Sequence, residues 1–264
     1  MFHSLIYNSS GMFIKETRLK YLETRIQKRL EVRRIPSVYS YYKFLTNGED
    51  GAEELKQLLD LLTVNETYFF RNPPQIKLFE ERLLPEMISK RESERNKALR
   101  IWSAGCSTGE EPYSIAISIL DRLSYPRLWD VKVYASDISL SVLKKAKEGI
   151  YSKERLREAS EKRIDKYFSL RKGGYAIRDE VKKYVIFDFH NLKFENGLRD
   201  LDAIFCRNVM IYFDAEEQRR LIQKFHAALR PGGYLLVGHA ETLQGLSSDF
   251  RFVHENRGSA YQKI

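Results

Sequence analysis

Between Leu99 and Tyr113 the chain reads LRIWSAGCSTGEEPY, an order that few folds accommodate. An apolar run, Leu99–Trp102, passes into small residues, Ser103-Ala104-Gly105-Cys106-Ser107-Thr108-Gly109. Glu110, Glu111 and Pro112 follow, then an apolar-periodic stretch with Ile115, Ile119 and Leu120. The pattern reads as strand, tight turn, helix. Small residues in the turn let a ligand press against bare backbone. The spacing is not the G-x-G-x-x-G of dinucleotide binders, and acid stands where a phosphate loop carries Lys-Ser or Lys-Thr. A glutamate there repels phosphate and suits hydroxyls or a cation. The ligand predicted by this turn is a nucleoside carrying positive charge, and S-adenosylmethionine is the candidate.

From Leu99 onward strand and helix patterns alternate. Strands are predicted at Leu99–Gly105, Val131–Asp137, Tyr184–Phe189, Leu201–Asn208, Tyr234–Ala240, Phe250–Asn256 and Ser259–Ile264. Helices fall near 110–124, 139–148 and 214–230, the last opening on Asp214-x-x-Glu217 and stopping at Pro231-Gly232-Gly233. Such alternation calls for a parallel sheet covered on both faces. Only a short turn separates the last two strands, so at least one of them runs antiparallel. The fold class is therefore α/β, with the seven-stranded, Rossmann-like plan of S-adenosylmethionine-dependent methyltransferases. The rhythm breaks between 152 and 186, where Arg171-Lys172-Gly173-Gly174 marks a small inserted β-hairpin at about 168–186. Upstream, Leu19, Leu22, Ile26 and Leu30, then Leu55, Leu58, Leu59 and Leu62, recur at helical spacing. Pro73-Pro74 suits a further helix start, and RESERNK at 91–97 reads as a polar linker. We expect an all-helical docking domain over 1–90 and a cofactor-binding domain over 91–264.

Composition narrows the class. The chain of 264 residues is 43% hydrophobic and 31% charged, as soluble globular proteins are. No apolar run is long enough to cross a bilayer, and the start has no basic leader with an apolar core. The two cysteines and five scattered histidines provide neither a disulfide framework nor metal-ligand spacing. A reduced, cytoplasmic monomer without membrane insertion or bound metal is expected. A net charge of +9 favours an acidic partner.

In an open α/β sheet, ligands sit at the carboxyl ends of the strands. Those ends are polar here: Gly105 with Glu111 behind it, Asp137, His190-Asn191-Leu192, Arg207-Asn208-Val209, and His239-Ala240-Glu241. Asp137 is placed to accept hydrogen bonds from ribose hydroxyls, and Asn191 beside Leu192 to frame an adenine. Any one of these has a structural explanation, such as Asp137 capping the next helix; five in succession do not. A second cluster, Thr63 to Pro74 (TVNETYFFRNPP), mixes amide, hydroxyl, aromatics and one arginine, and reads equally as a helix-to-helix junction with Tyr68 and Phe69 in the core or as a lid over the ligand with Arg71 facing the substrate.

The blocks NETYFFRN, IWSAGCSTGEEPYSIA, ASDIS, FCRNVMIYFD and LRPGGYLLVGHAE resemble the chemotaxis receptor methyltransferases, the CheR family, along nearly the whole chain. The resemblance implies S-adenosylmethionine as methyl donor, with S-adenosylhomocysteine as its product. It implies side-chain glutamates on the cytoplasmic helices of a chemoreceptor, a methyl-accepting chemotaxis protein, as acceptors. Carried over by position, the cofactor contacts are Asn65, Thr67, Arg71, Glu111, Asp137, Asn191, Leu192, Asn208 and Val209, and Gly105 makes room for the cofactor. The family further implies that Arg71 and a tyrosine orient the acceptor, and Tyr212 is the tyrosine assigned here. A glutamate side chain, with a reference pKa near ~4.3, is already a nucleophilic carboxylate at neutral pH, so no general base is required. Arg18, Arg25, Arg29 and Arg33 on the first basic helix form the expected docking face, since receptor methylation helices are acidic. The compact turn at Arg171–Gly174 points to a member that needs no tether at the receptor's carboxyl terminus.

Two other readings compete. Positive charge suits a nucleic-acid methyltransferase, but Asn72-Pro73-Pro74-Gln75 lacks the stacking aromatic that its amino-directed type carries, so no nucleic-acid partner is expected. A non-catalytic adaptor that keeps the cofactor pocket is the other, and nothing visibly missing from the pocket favours it.

Overall fold

The computed structural model describes residues 1–63 and 65–264; Val64, within the cluster from Thr63 to Pro74, lies outside the described residues. The strands are β1 (Ala98–Ala104), β2 (Asp130–Asp137), β3 (Ile150–Tyr151), β4 (Phe168–Arg171), β5 (Gly174–Ile177), β6 (Val185–Phe189), β7 (Leu201–Cys206), β8 (Leu229–Val237), β9 (Phe250–Glu255) and β10 (Gly258–Lys263). Seven of them form one sheet in the order β6-β2-β1-β7-β8-β10-β9. β1 pairs in parallel with β2 and β7, β2 with β6, and β7 with β8. β10 enters antiparallel between β8 and β9, as the short Glu255–Gly258 connection requires. Alternation along each central strand feeds two cores. Leu99, Ile101, Ala203 and Phe205 face one layer of helices; Trp102, Ala104, Ile204 and Cys206 face the other.

The chain order reverses direction between β1 and β7, so their carboxyl ends flank a crevice. Helix Glu110–Arg122 follows β1 directly, opening from Gly109 at φ 94°. Helix Leu140–Glu148 follows β2 and is capped by Ser139, whose hydroxyl accepts from Val142 N. Asp137 is therefore free of the capping role that a local reading offers it. Asp214 does cap Ala215–Ala228, accepting from Glu217 N.

The insertion is larger than a hairpin. β4 and β5 pair antiparallel as expected, and β3 adds a third strand on the other side of β5. That two-residue strand offers no period for a sequence reading to detect.

Helices Phe2–Ser10, Leu19–Arg33, Val38–Leu45 and Gly48–Leu62 share a separate core containing Ile6, Leu22, Ile26, Tyr41 and Leu58. The helical run Pro73–Ser93 belongs elsewhere. Ile76, Phe79, Leu83 and Met87 join the sheet's own core, and the Gln75 amide donates to Val237 O and Ser259 O. On this packing we propose to draw the domain division near residue 63, ahead of the division at 90 that composition suggests. The RESERNK segment is also not a solvated linker at its start. Helix Leu84–Ser93 runs into it, and the Arg91 side chain is 2% exposed.

Candidate functional site

A cavity of about 290 Å³ opens at the carboxyl ends of the strands, between the sheet and the N-terminal helices. Its walls contain every residue expected to hold cofactor or orient acceptor: Asn65, Thr67, Arg71, Gly105, Glu111, Asp137, Asn191, Leu192, Asn208, Val209 and Tyr212. They arrive from five separate chain segments, so the sheet topology assembles them.

The floor is the turn after β1. Gly105 N and Cys106 N donate to Ser136 O at 2.8 and 2.9 Å, which binds the turn to the end of β2. Gly105 has φ +80°, and a Cβ there would lie 2.5 Å from Val209 Cγ2. Both conformation and space therefore demand glycine. Ser107, itself left-handed at φ 49°, donates its N–H to Asp137 Oδ2 at 2.8 Å. Ser139 N donates to Asp137 Oδ1 at 3.0 Å. The carboxylate is held from behind, and its remaining lone pairs are available to ligand hydroxyls.

Two acids line this floor without full compensation. Burial raises Asp137 against the backbone N–H groups that lower it. Burial likewise raises Glu111, opposed by Arg207 and by the Ser103 hydroxyl, which donates at 2.7 Å. Enclosed carboxylates held up by desolvation gain from a positive ligand charge. A cavity with such a floor fits a cationic nucleoside and repels a phosphate. The thiols beside it, Cys106 and Cys206, are raised well above the ordinary cysteine range by burial and stay protonated. Among the described residues no cluster of His, Cys, Asp and Glu has metal-binding geometry.

The segment carrying Arg71 lies along one side. Phe69 anchors it, fully buried edge-on against Tyr151 and Phe168 of the small sheet. Phe70 and Asn72 on either side of Arg71 are left-handed, at φ 55° and 61°. The Arg71 guanidinium donates to Glu66 O at 2.9 Å and lies 5.9 Å from the Tyr68 ring centre.

Four findings revise the expectations from sequence. Asn191 lines the cavity, but its amide is taken: Nδ2 donates to Ser9 O at 2.7 Å and Oδ1 accepts from Lys193 N at 3.0 Å. It fastens the first helix across the cavity, so Ser10 and Met12 become walls. The first helix carries no polar pattern that would have announced this. At the fifth strand end His239 is exposed and stands outside the cavity, while Glu241 braces the neighbouring loop, accepting from Asn208 N at 2.8 Å and Ile211 N at 3.2 Å. The docking face is smaller than expected. Arg29 makes a two-pronged pair with buried Glu54 at 2.7 Å, and Arg33 lies 3.4 Å from the same carboxylate, so both help to hold the helical core. Arg18 stacks on Tyr212 of the cavity wall, and Arg25 on Tyr21 of its own helix. Finally, Arg207 reaches the cavity as a buried guanidinium; its position one residue before Asn208 was the only signal.

A Rossmann-like sheet whose strand ends surround an acidic, glycine-floored cavity defines a nucleoside-cofactor transferase, and comparison with known proteins identifies which kind. Residues 65–259 match the CheR methyltransferase, SAM binding domain, and residues 1–63 match the CheR methyltransferase, all-alpha domain. The chain is 35% identical to chemotaxis protein methyltransferase 2 of Vibrio cholerae, covering 99% of this chain and 91% of that one. It is 37% identical to the chemotaxis protein methyltransferase of Borreliella burgdorferi, covering 91% and 86%. With that of Salmonella typhimurium the identity is 36%, covering 93% and 84%. The chain belongs to the CheR methyltransferase family and is an S-adenosylmethionine-dependent methyltransferase of chemotaxis.

Proposed function

We propose that this protein forms glutamyl methyl esters on the cytoplasmic helices of a chemoreceptor, acting as a cytoplasmic monomer. The observation that carries this reading is the arrangement of charge. Acids Glu111 and Asp137 line the cavity floor, Arg71 stands in its wall, and Arg18 stacks on the wall residue Tyr212. A cationic donor suits the acids and an anionic acceptor suits the arginines.

S-adenosylmethionine, when bound, supplies a methyl group on a sulfonium. The residues fitted to hold it are Asp137 at the ribose hydroxyls, Glu111 at the positive end, Leu192 and Val209 along the apolar walls, and Gly105 beneath. Asn65 and Thr67 close the cavity from the lid segment. Arg71 orients the acceptor carboxylate with a planar fork, and Tyr212 stands beside it. Burial raises the Tyr212 phenol, which keeps it neutral and a hydrogen-bond donor. The reaction is one of alignment: a carboxylate oxygen must meet the methyl carbon in line, and geometry accounts for most of the rate. Closure by the first helix keeps water out, and a drier site favours a step in which opposite charges cancel. No base is needed, consistent with the exposed His239 standing apart.

The test uses methyl-labelled donor with receptor-rich membranes, followed by treatment with alkali. Base-labile label on the receptor is expected. Alkali-stable label, or label on nucleic acid, would reassign the acceptor.

A further inference from the structure

Arg207 follows β7 directly, and its side chain is 3% exposed. One terminal nitrogen donates to the carbonyl oxygen of Arg71. The other lies 3.4 Å from Glu111 Oε2. Its Nε–H has no partner among the described residues. A guanidinium is a rigid, planar fork, so fixing one prong orients the other. The carbonyl it grips belongs to a residue between two left-handed neighbours, Phe70 and Asn72. Such a backbone persists only where its surroundings over-determine it.

We infer that Arg207 is a positioning residue that couples the two halves of the site, holding Arg71 in its strained loop with one prong of its fork and pairing with Glu111 beside the donor with the other. It touches neither reacting atom. Through the Arg71 carbonyl it sets where the acceptor carboxylate lies; through Glu111 it sets the charge offered to the donor. The inference rests on the methyl-transfer reading above. The titratable groups facing Glu111 are Arg207, Arg71, Glu241 and the two buried thiols. Among the described residues, only Arg207 makes a direct ionic contact with it. Burial already pushes Glu111 up, and loss of this cation would push it further the same way.

The experiment compares wild type, Arg207→Met and Arg207→Lys. Calorimetric affinity for S-adenosylhomocysteine is measured from pH 6 to 9, and methylation rate at saturating donor alongside it. The ratio of variant to wild-type Kd cancels the ligand's own titration. For Arg207→Met the ratio should be at least about tenfold at the acid end of the range and should not grow as pH rises. The rate should fall at least about tenfold at every pH through the released Arg71 loop. Arg207→Lys restores a charge but not the fork, so its Kd ratio should be nearly flat with pH while the rate stays low. If Arg207→Met does not fold, Arg207→Lys carries the test alone: a wild-type rate there overturns the inference. It is equally overturned by a donor affinity for Arg207→Met that matches wild type across the pH range, or by equal losses in the two variants. Wild-type protein that takes up no S-adenosylhomocysteine would instead sink the methyl-transfer reading itself.

Discussion

Two buried arginines sit at opposite ends of the central strands, and they are finished differently. At the amino ends, Arg91 donates Nε to Asp202 Oδ1 at 2.7 Å and its terminal nitrogens to Asp202 Oδ2, Asp200 Oδ2 and Asp200 O at 3.0 Å each. Asp202 also accepts from Arg100 N at 2.8 Å. At the carboxyl ends, Arg207 has one long contact to Glu111, one to a backbone carbonyl and an unpartnered Nε–H. Their proton affinities differ accordingly. Burial lowers both, but for Arg91 the two aspartates outweigh it and the net shift is upward. For Arg207 burial outweighs Glu111 and the net shift is downward. A buried ion pair tolerates desolvation only when its other hydrogen bonds are completed. Every donor group of Arg91 is engaged and serves the fold. Arg207 is incompletely engaged at the place where a charged ligand fits.

The strongest test of this contrast is Arg91→Met. It leaves Asp202 with Arg230 at 3.4 Å as its remaining cation among the described residues and should cost at most about 3–5 kcal/mol of stability, a fall in thermal midpoint of up to roughly 10 °C. Donor affinity of the folded protein should be unchanged; a matching loss of affinity would break the contrast. Arg71→Ala should do the reverse, lowering turnover about 100-fold with donor affinity weakened about tenfold or less, and melting as wild type does. Equal losses in turnover and affinity would assign Arg71 to the donor alone. Gly105→Ala combines the two effects. Its Cβ must displace Val209 from a left-handed position, so stability should fall by about 1–3 kcal/mol and donor affinity with it.

Smaller effects lie on the first basic helix. Arg25→Glu should slow association with receptor by about tenfold at low salt and leave donor affinity intact, because complementary charge acts mainly on encounter. Arg29→Glu is expected instead to destabilise the helical core through Glu54, which separates docking from folding on one helix. The smallest effect is at His190, on the cavity wall beside Trp102. Burial lowers its pKa. Above its unfolded pKa of about 6.5 the ring is neutral in both states; below it the unfolded chain takes up a proton that the folded one resists. Stability should therefore fall as pH drops through about 6.5 towards about 5.5, and His190→Gln should flatten that slope.

Much of this contrast was legible before folding. Glycines, a strand-end aspartate and a helix-start glutamate report their own chemistry, because a tight turn and a strand terminus are local. Arg91 shows where local reading stops. Within RESERNK it looks solvated, and only the return of the chain at Asp200 and Asp202 buries it. Asn191 misleads in the opposite way: the polar group is in the right place, but a segment 182 residues earlier occupies it. Arg29 likewise resembles a surface charge until Glu54 closes on it.

The order of strands and helices, the antiparallel final strand and the ligand-bearing turn follow from the chain itself, since periodicity and backbone freedom act over a few residues. Partner choice among charged side chains was decided only in three dimensions. An arginine is stabilised equally by water or by a buried carboxylate held in place, and which one it meets depends on segments that pack from far along the chain.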